Sequence, residues 1–310
     1  MLDKITKLTK KHISKLILLF IGFFIVSSVY AASSTWHFTS STDYTYSSST
    51  GFTVTGSIAS LNKNTLVHTG VITNATNYNG AYDVVVDGDY AYMTNYLGNR
   101  VSVLNISNPS APTLVGSVID SGTTFLVGVA GIVKDGNYLY VASNTDDAIQ
   151  VIDVSNPATP TVVGSVRNTT NLNGARGVAK SGNYLFVAND VRDSVAVVNV
   201  TNPTAPTYVA EIRNATSLNG AREIKIVGNY AYVTGYTGDR FTVVNITTPT
   251  APTIAGSITD GTNLNGAWKF KIVGNYAYVS AYLGARVRII DISTPTAPVA
   301  VGTILNGGDY

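Results

Sequence analysis

The residues able to do chemistry are few. Beyond residue 31 the chain has two histidines, His37 and His68, and it has no cysteine. A Ser-His-acid triad needs one of those histidines as its base, and neither stands near a Gly-x-Ser-x-Gly nucleophile motif. A His/Cys zinc site is excluded by ligand count, and no phosphate-binding loop or dinucleotide fingerprint occurs, so no cofactor or metal is expected. Two carboxylates, Asp83 and Glu223, have the residue types for paired acid–base hydrolysis. Asp146-Asp147 and Asp190-x-x-Asp193 are the remaining acidic groups with metal-ligand character. Tyr, Trp and Arg at recurring positions point instead to recognition, because aromatic rings add contact area at low entropic cost.

Those positions are defined by a repeat. All ten prolines lie in five copies of one phrase, from Asn108-Pro109-Ser110-Ala111-Pro112 to Thr294-Pro295-Thr296-Ala297-Pro298. The first prolines are 48, 46, 46 and 46 residues apart, a period that signals a repeat architecture. Residues 220–265 show the unit. Ala221–Val227 reads as a strand, Gly228-Asn229 as a tight turn and Tyr230–Thr234 as a second strand. Arg240–Ile246 reads as a third strand, the proline phrase as a turn and Thr253–Ile258 as a fourth. β-Branched and aromatic runs bounded by Gly, Asn and Pro support each assignment. Four strands in about 46 residues is the arithmetic of a β-propeller blade.

The Gly-Asn/Asp-Tyr turn occurs five times. A sixth repeat is expected at residues 36–73, because Trp36–Tyr46 aligns without a gap on Trp268–Tyr278, and Tyr44 and Gly70 precede Tyr90 and Gly116 by 46 residues. The expected fold is therefore all-β, a six-bladed propeller with repeats at 36–79, 80–127, 128–173, 174–219, 220–265 and 266–304. The alternative is five blades plus an N-terminal arm.

The strand ends Val151-Ile-Asp-Val-Ser-Asn-Pro157 and Ile289-Ile-Asp-Ile-Ser-Thr-Pro295, with Gly-Asn-Tyr-Ala-Tyr-Val ahead of the latter, resemble those of LVIVD-repeat proteins. The resemblance spans residues 79–304, and more faintly 36–78. It implies a secreted or surface propeller of bacterial or archaeal type and no defined catalytic activity.

Chain direction sorts the loops. The Gly-Asn-Tyr and proline turns share one face and are nearly uniform. The second-to-third and inter-blade loops share the other face and vary. There the rim candidates are Tyr96, Arg100, Asp190, Tyr236, Arg240, Tyr282 and Arg286. The start of the first strand reads Trp36, Tyr82, Ala130, Arg176, Arg222 and Trp268, and the next position reads His37, Asp83, Gly131, Gly177, Glu223 and Lys269. From these rows Trp36, Asp83, Arg176, Arg222, Glu223, Trp268 and Lys269 are the candidates for a binding site at the channel mouth. A self-neutralising charge network is the competing reading.

Lys4, Lys7, Lys10, Lys11 and Lys15, the apolar run Leu16–Val26 and the small-residue exit at Ala31 read as a secretory signal over residues 1–31. Residues 32–310 are then one propeller domain, placed outside the cell or in a periplasm. Without the signal, fifteen Lys+Arg face seventeen Asp+Glu, so no basic stripe favours nucleic acid or a membrane surface. Disulfides are absent for want of cysteine. Sequons at Asn74, Asn105, Asn168, Asn199, Asn214 and Asn245 follow the repeat. The expected function is a non-catalytic protein- or carbohydrate-binding scaffold for a surface protein or polysaccharide. The alternatives are a channel-mouth hydrolase or lyase and a structural segment of a larger surface protein.

Overall fold

The computed structural model describes residues 70–74 and 76–305, together with three short N-terminal strands. The chain divides into two units, Met1–Thr69 and Gly70–Tyr310. In the first, β1 (Thr35–His37), β2 (Phe52–Thr55) and β3 (Ile58–Leu61) form an antiparallel sheet of order β1-β3-β2. The expected signal segment lies outside the described residues.

The second unit holds five four-stranded antiparallel sheets, each in simple sequential order. Blade 1 consists of β4 (Ala81–Asp87), β5 (Tyr90–Asn95), β6 (Arg100–Asn105) and β7 (Thr113–Ile119). The others run from Val129 to Arg167, Ala175 to Arg213, Ala221 to Thr259 and Ala267 to Leu305. Their first strands line the centre, where successive blades meet. Phe186, Phe241, Phe270 and the inter-blade leucines Leu126, Leu172, Leu218 and Leu264 are fully buried between sheets, each contributing about 2–3 kcal/mol on burial.

Six blades were expected and five are described. The 36–73 stretch has neither the proline phrase nor a glycine before its Asp43-Tyr44, the devices that fix strand ends elsewhere. Its strands therefore show a different order from the sequential sheets.

The sequons have a local structural reason. The side-chain oxygens of Asn105, Asn199 and Asn245 accept the backbone N–H two residues on, at 2.9, 2.8 and 2.9 Å. Asp153 and Asp291 do the same at 2.7 and 2.8 Å. The Asn-x-Ser/Thr pattern is a recurring Asx turn.

The seams between blades share one device. Asn99, Asp147, Asp193 and Asp239 adopt left-handed φ of 47–57° in the second-to-third loops. Each side-chain oxygen accepts the N–H of the glycine that starts the following blade: Gly128, Gly174, Gly220 and Gly266, at 2.9, 2.9, 2.9 and 2.8 Å. Each carbonyl also accepts the N–H of Asp120, Asn168, Asn214 or Asp260. One residue thus fastens both ends of an inter-blade loop. Short polar side chains tolerate this backbone region best after glycine. In blade 5 the position is Ala285, at φ 49°, which has no latching oxygen.

Blade 1 has a bare flank. Val84 and Val86 are 50% and 58% exposed, whereas Ile132, Val178, Ile224 and Phe270, which occupy the Val84 position in the other blades, are buried.

Asp193→Ala is expected to cost about 2 kcal/mol, from left-handed strain plus one lost hydrogen bond. Asp193→Asn, the amide already used at Asn99, is expected to stay within about 0.5 kcal/mol of wild type. Urea unfolding of both variants measures the difference.

Candidate functional site

Every blade carries a register shift at the start of its first strand. It falls between Ala81 and Asp83, Val129 and Ile132, Ala175 and Gly177, Ala221 and Ile224, and Ala267 and Phe270. Bulges re-aim side chains, and Tyr82, Arg176, Arg222 and Trp268 stand at these shifts. With Tyr96, Leu97, Gly80 and Ala81 they line a cavity of ≈ 450 Å³ at the channel mouth.

The upper layer of this mouth mixes cations and aromatic rings. The Arg222 guanidinium lies 4.0 Å from the Tyr236 ring and 4.2 Å from the Trp268 ring, within cation–π range. Trp268 also meets Tyr236 edge-on at 5.4 Å and Tyr282 at 5.2 Å. Arg176 lies 5.7 Å from both the Tyr82 and Tyr96 rings. Its Nε donates to Asp190 at 2.5 Å and its Nη1 to the Tyr82 hydroxyl at 3.3 Å. Asp190 also accepts from Asn144 at 3.1 Å and stands 3.5 Å from Arg222. Two guanidinium groups therefore share one carboxylate, and the buried Arg222 Nε has no hydrogen-bond partner among the described residues. Burial, then the neighbouring Arg176, holds Arg222 below its ordinary pKa. Burial also acts against Arg176, but Tyr82 and Asp190 outweigh it.

The lower layer is paired. Lys269 Nζ donates to Asp83 at 3.0 Å and lies 3.8 Å from Glu223, which also pairs with Lys225 at 2.7 Å. Gly131 and Gly177 leave blades 2 and 3 without a side chain at this level, and a Cβ there would come within 2.5 and 2.6 Å of the next blade's backbone. The charged side chains thus come from blades 1, 4 and 5. Burial raises the Asp83 carboxyl, with Lys269 opposing and Glu223 reinforcing. Burial would lower Lys269, but Glu223 and Asp83 together hold it above its ordinary value.

The structure thus brings together Asp83, Arg176, Arg222, Glu223, Trp268 and Lys269, with Tyr96, Asp190, Tyr236 and Tyr282 above them. Trp36 falls on β1, and its side chain lies outside the described residues. Arg100 and Arg286 turn to the inter-blade loops, donating to the side-chain oxygens of Asn77 and Asn263. Arg240 occupies the same strand position. Asp146 accepts the N–H of Val127 at 2.7 Å. Together with the latching Asp147 and Asp193, it is engaged structurally rather than gathered for a metal. Two members were missed. Tyr82 shares the repeat position of Arg176 and Arg222. Asn144 shares that of Tyr96 and Asp190, which it joins by accepting from the Tyr96 hydroxyl at 3.2 Å. Repeat position was the signal for both.

Four-stranded blades arranged around a residue-lined channel define a β-propeller. The model for the LVIVD repeat matches residues 80–120, 129–168, 174–213, 220–260 and 266–306, and the chain belongs to this family. Solved structures agree on the fold. A Lactobacillus plantarum protein is 20% identical, with 73% of this chain and 71% of that chain covered and a TM-score of 0.63. A putative 6-phosphogluconolactonase from Bacteroides uniformis is 15% identical, over 72% and 70%, at 0.61. A periplasmic gluconolactonase from Pseudomonas aeruginosa is 13% identical, over 71% and 68%, at 0.59. No curated protein matches the sequence.

Lys269→Met is expected to destabilise by about 3 kcal/mol at pH 8, where Asp83 loses its ion-pair partner while Glu223 keeps Lys225. The raised pKa of Lys269 means that its contribution is fully present below its unfolded value of about 10.4 and lost only at higher pH. Between pH 8 and 4 the deficit is therefore set by Asp83, whose carboxyl is raised by burial, and it shrinks as that group takes up a proton. Thermal melts of variant and wild type at both pH values check the sign.

Proposed function

We propose that this propeller is a non-catalytic binding module exported from the cell, with its ligand seated at the channel mouth. The carrying observation is the open cavity where Tyr82, Tyr96, Arg176, Arg222 and Trp268 converge. Below it the carboxylates of a hydrolytic mechanism, Asp83 and Glu223, are both engaged by Lys269. A hydrolase reading draws on the likeness to proteins described as gluconolactonases, at an identity where only the fold is shared. The exported location rests on the sequence of residues 1–31. The partner is a surface protein or polysaccharide, recognised by the mouth and the aromatic rim.

We also propose a sixth position in the ring, drawn from the 36–73 repeat. A Cβ on Gly116 would meet the Pro157 carbonyl at 2.4 Å, and one on Gly164 the Pro203 carbonyl at 2.3 Å. Gly70 stands in the same relation to the Pro109 carbonyl, at 2.4 Å, while among the described residues Gly302 of blade 5 meets only its own Ile289. This likeness supports reading Gly70 as the outer-strand residue of a repeat preceding blade 1.

Two measurements test these readings. Alanine at Tyr96, Tyr236 and Tyr282 together should weaken binding to any ligand found by glycan or surface-protein screening at least tenfold; unchanged affinity removes the mouth as the site. Val84→Asp should lower the melting temperature by roughly 5 °C or more if a sixth blade covers that flank, since exposed substitutions stay within about 0.5 kcal/mol. An unaltered melt leaves five blades.

A further inference from the structure

The mouth is not electrically balanced, and its imbalance has a definite form. Among the described residues Arg176 and Arg222 together have one carboxylate between them, Asp190, and that carboxylate already accepts from Arg176 and Asn144. Arg222 reaches it only at 3.5 Å and leaves its Nε unpaired. The lower layer cannot correct this, because Lys269 and Lys225 are matched there by Asp83 and Glu223. Among the described residues one positive charge is left over, on a guanidinium within 4.0 and 4.2 Å of two aromatic rings.

From this excess charge and the rings around it, we infer that the mouth takes a ligand bearing a single carboxylate on a sugar ring, an acidic saccharide unit of the uronate type. The inference rests on the channel mouth being the binding site. A guanidinium edge matches a carboxylate in geometry and forms charge-assisted, often bidentate hydrogen bonds. A monoanion neutralises the excess, whereas a phosphate dianion overshoots it beside Asp190. A free cation is disfavoured because Arg222 already occupies faces of Tyr236 and Trp268. The walls suit a sugar: Tyr82, Tyr96, Leu97 and Trp268 offer surface for the apolar C–H face of a pyranose ring, and the cavity of ≈ 450 Å³ lies in the range of small-ligand sites. Tyr282, 66% exposed at the rim beside Trp268, extends that surface toward a neighbouring unit of a chain.

Trp268 reports on the site directly. The chain has two tryptophans, so the full chain carrying both is titrated, and loss of the signal change in Trp268→Phe assigns it to Trp268. The titrations would use D-glucuronate, its neutral methyl ester, D-glucose, D-glucose 6-phosphate and triglycine. The expected result is saturable quenching by glucuronate, at least tenfold weaker for the ester and for glucose, and weakened further by added NaCl. Arg222→Gln should lose the glucuronate response. Arg222→Lys, which keeps the charge and loses the planar fork, should retain part of it, and circular dichroism confirms that both variants are folded. Equal response to ester and acid overturns the carboxylate assignment while keeping the site. Tighter binding of the phosphate or of triglycine replaces it with a dianion or a peptide terminus. Silence toward every probe overturns the assignment and counts against the mouth as a site.

Discussion

The hydrogen bond from a left-handed Asn or Asp to the first glycine amide of the following blade is the constraint on which the rest depends. It recurs at Asn99, Asp147, Asp193 and Asp239. Because the same residue's carbonyl holds the opposite end of the loop, it fixes both where a blade begins and how its first strand leaves the loop. One residue beyond the glycine comes the bulge, and at the bulge come Arg176, Arg222 and Trp268. The latch and the mouth are thus consecutive parts of one short segment. A part-buried hydrogen bond of this kind contributes modestly on its own, about 1 kcal/mol, but its repetition sets the register of the inner strands.

Symmetry at the seams and asymmetry at the channel work together. Five nearly identical scaffolds present different side chains at two successive positions. Glycine in blades 2 and 3 clears the lower level, so Asp83, Glu223 and Lys269 meet from the remaining blades and neutralise one another. One level up, Arg176 and Arg222 come from adjacent blades and compete for Asp190. The lower layer is paired, and the upper layer holds two guanidinium groups against one carboxylate. The charge-network reading fits the lower depth of the channel, and the proposed ligand site lies above it.

The blades and the positions lining the channel were legible in the sequence because both follow from period. The 46-residue spacing fixes which residues are equivalent, and variation at an otherwise uniform position marks where a scaffold is put to use. The latch was not legible. Asp147, Asp193 and Asp239 look like rim charge, since left-handed φ leaves no trace beyond a residue type common in any loop. Strand position likewise did not reveal that Arg100 and Arg286 turn to the inter-blade loops, toward Asn77 and Asn263. The Lys269–Asp83 pair spans 186 residues, a closeness that only the closing geometry of the ring produces. For residues 36–73 the repeat is too degraded, without its prolines and turn glycine, to dictate blade order by pattern.

The central claim is that the latch, rather than generic sheet packing, locks each blade to the next at the channel mouth. Native-state amide hydrogen exchange tests it most directly, because local opening free energies are resolved residue by residue. The N–H groups of Gly128, Gly174, Gly220 and Gly266 should be protected to nearly the level of the inner-strand amides. The N–H of Gly80, which has no latching side chain among the described residues, should exchange much faster. Rapid exchange at all five glycines would contradict the account.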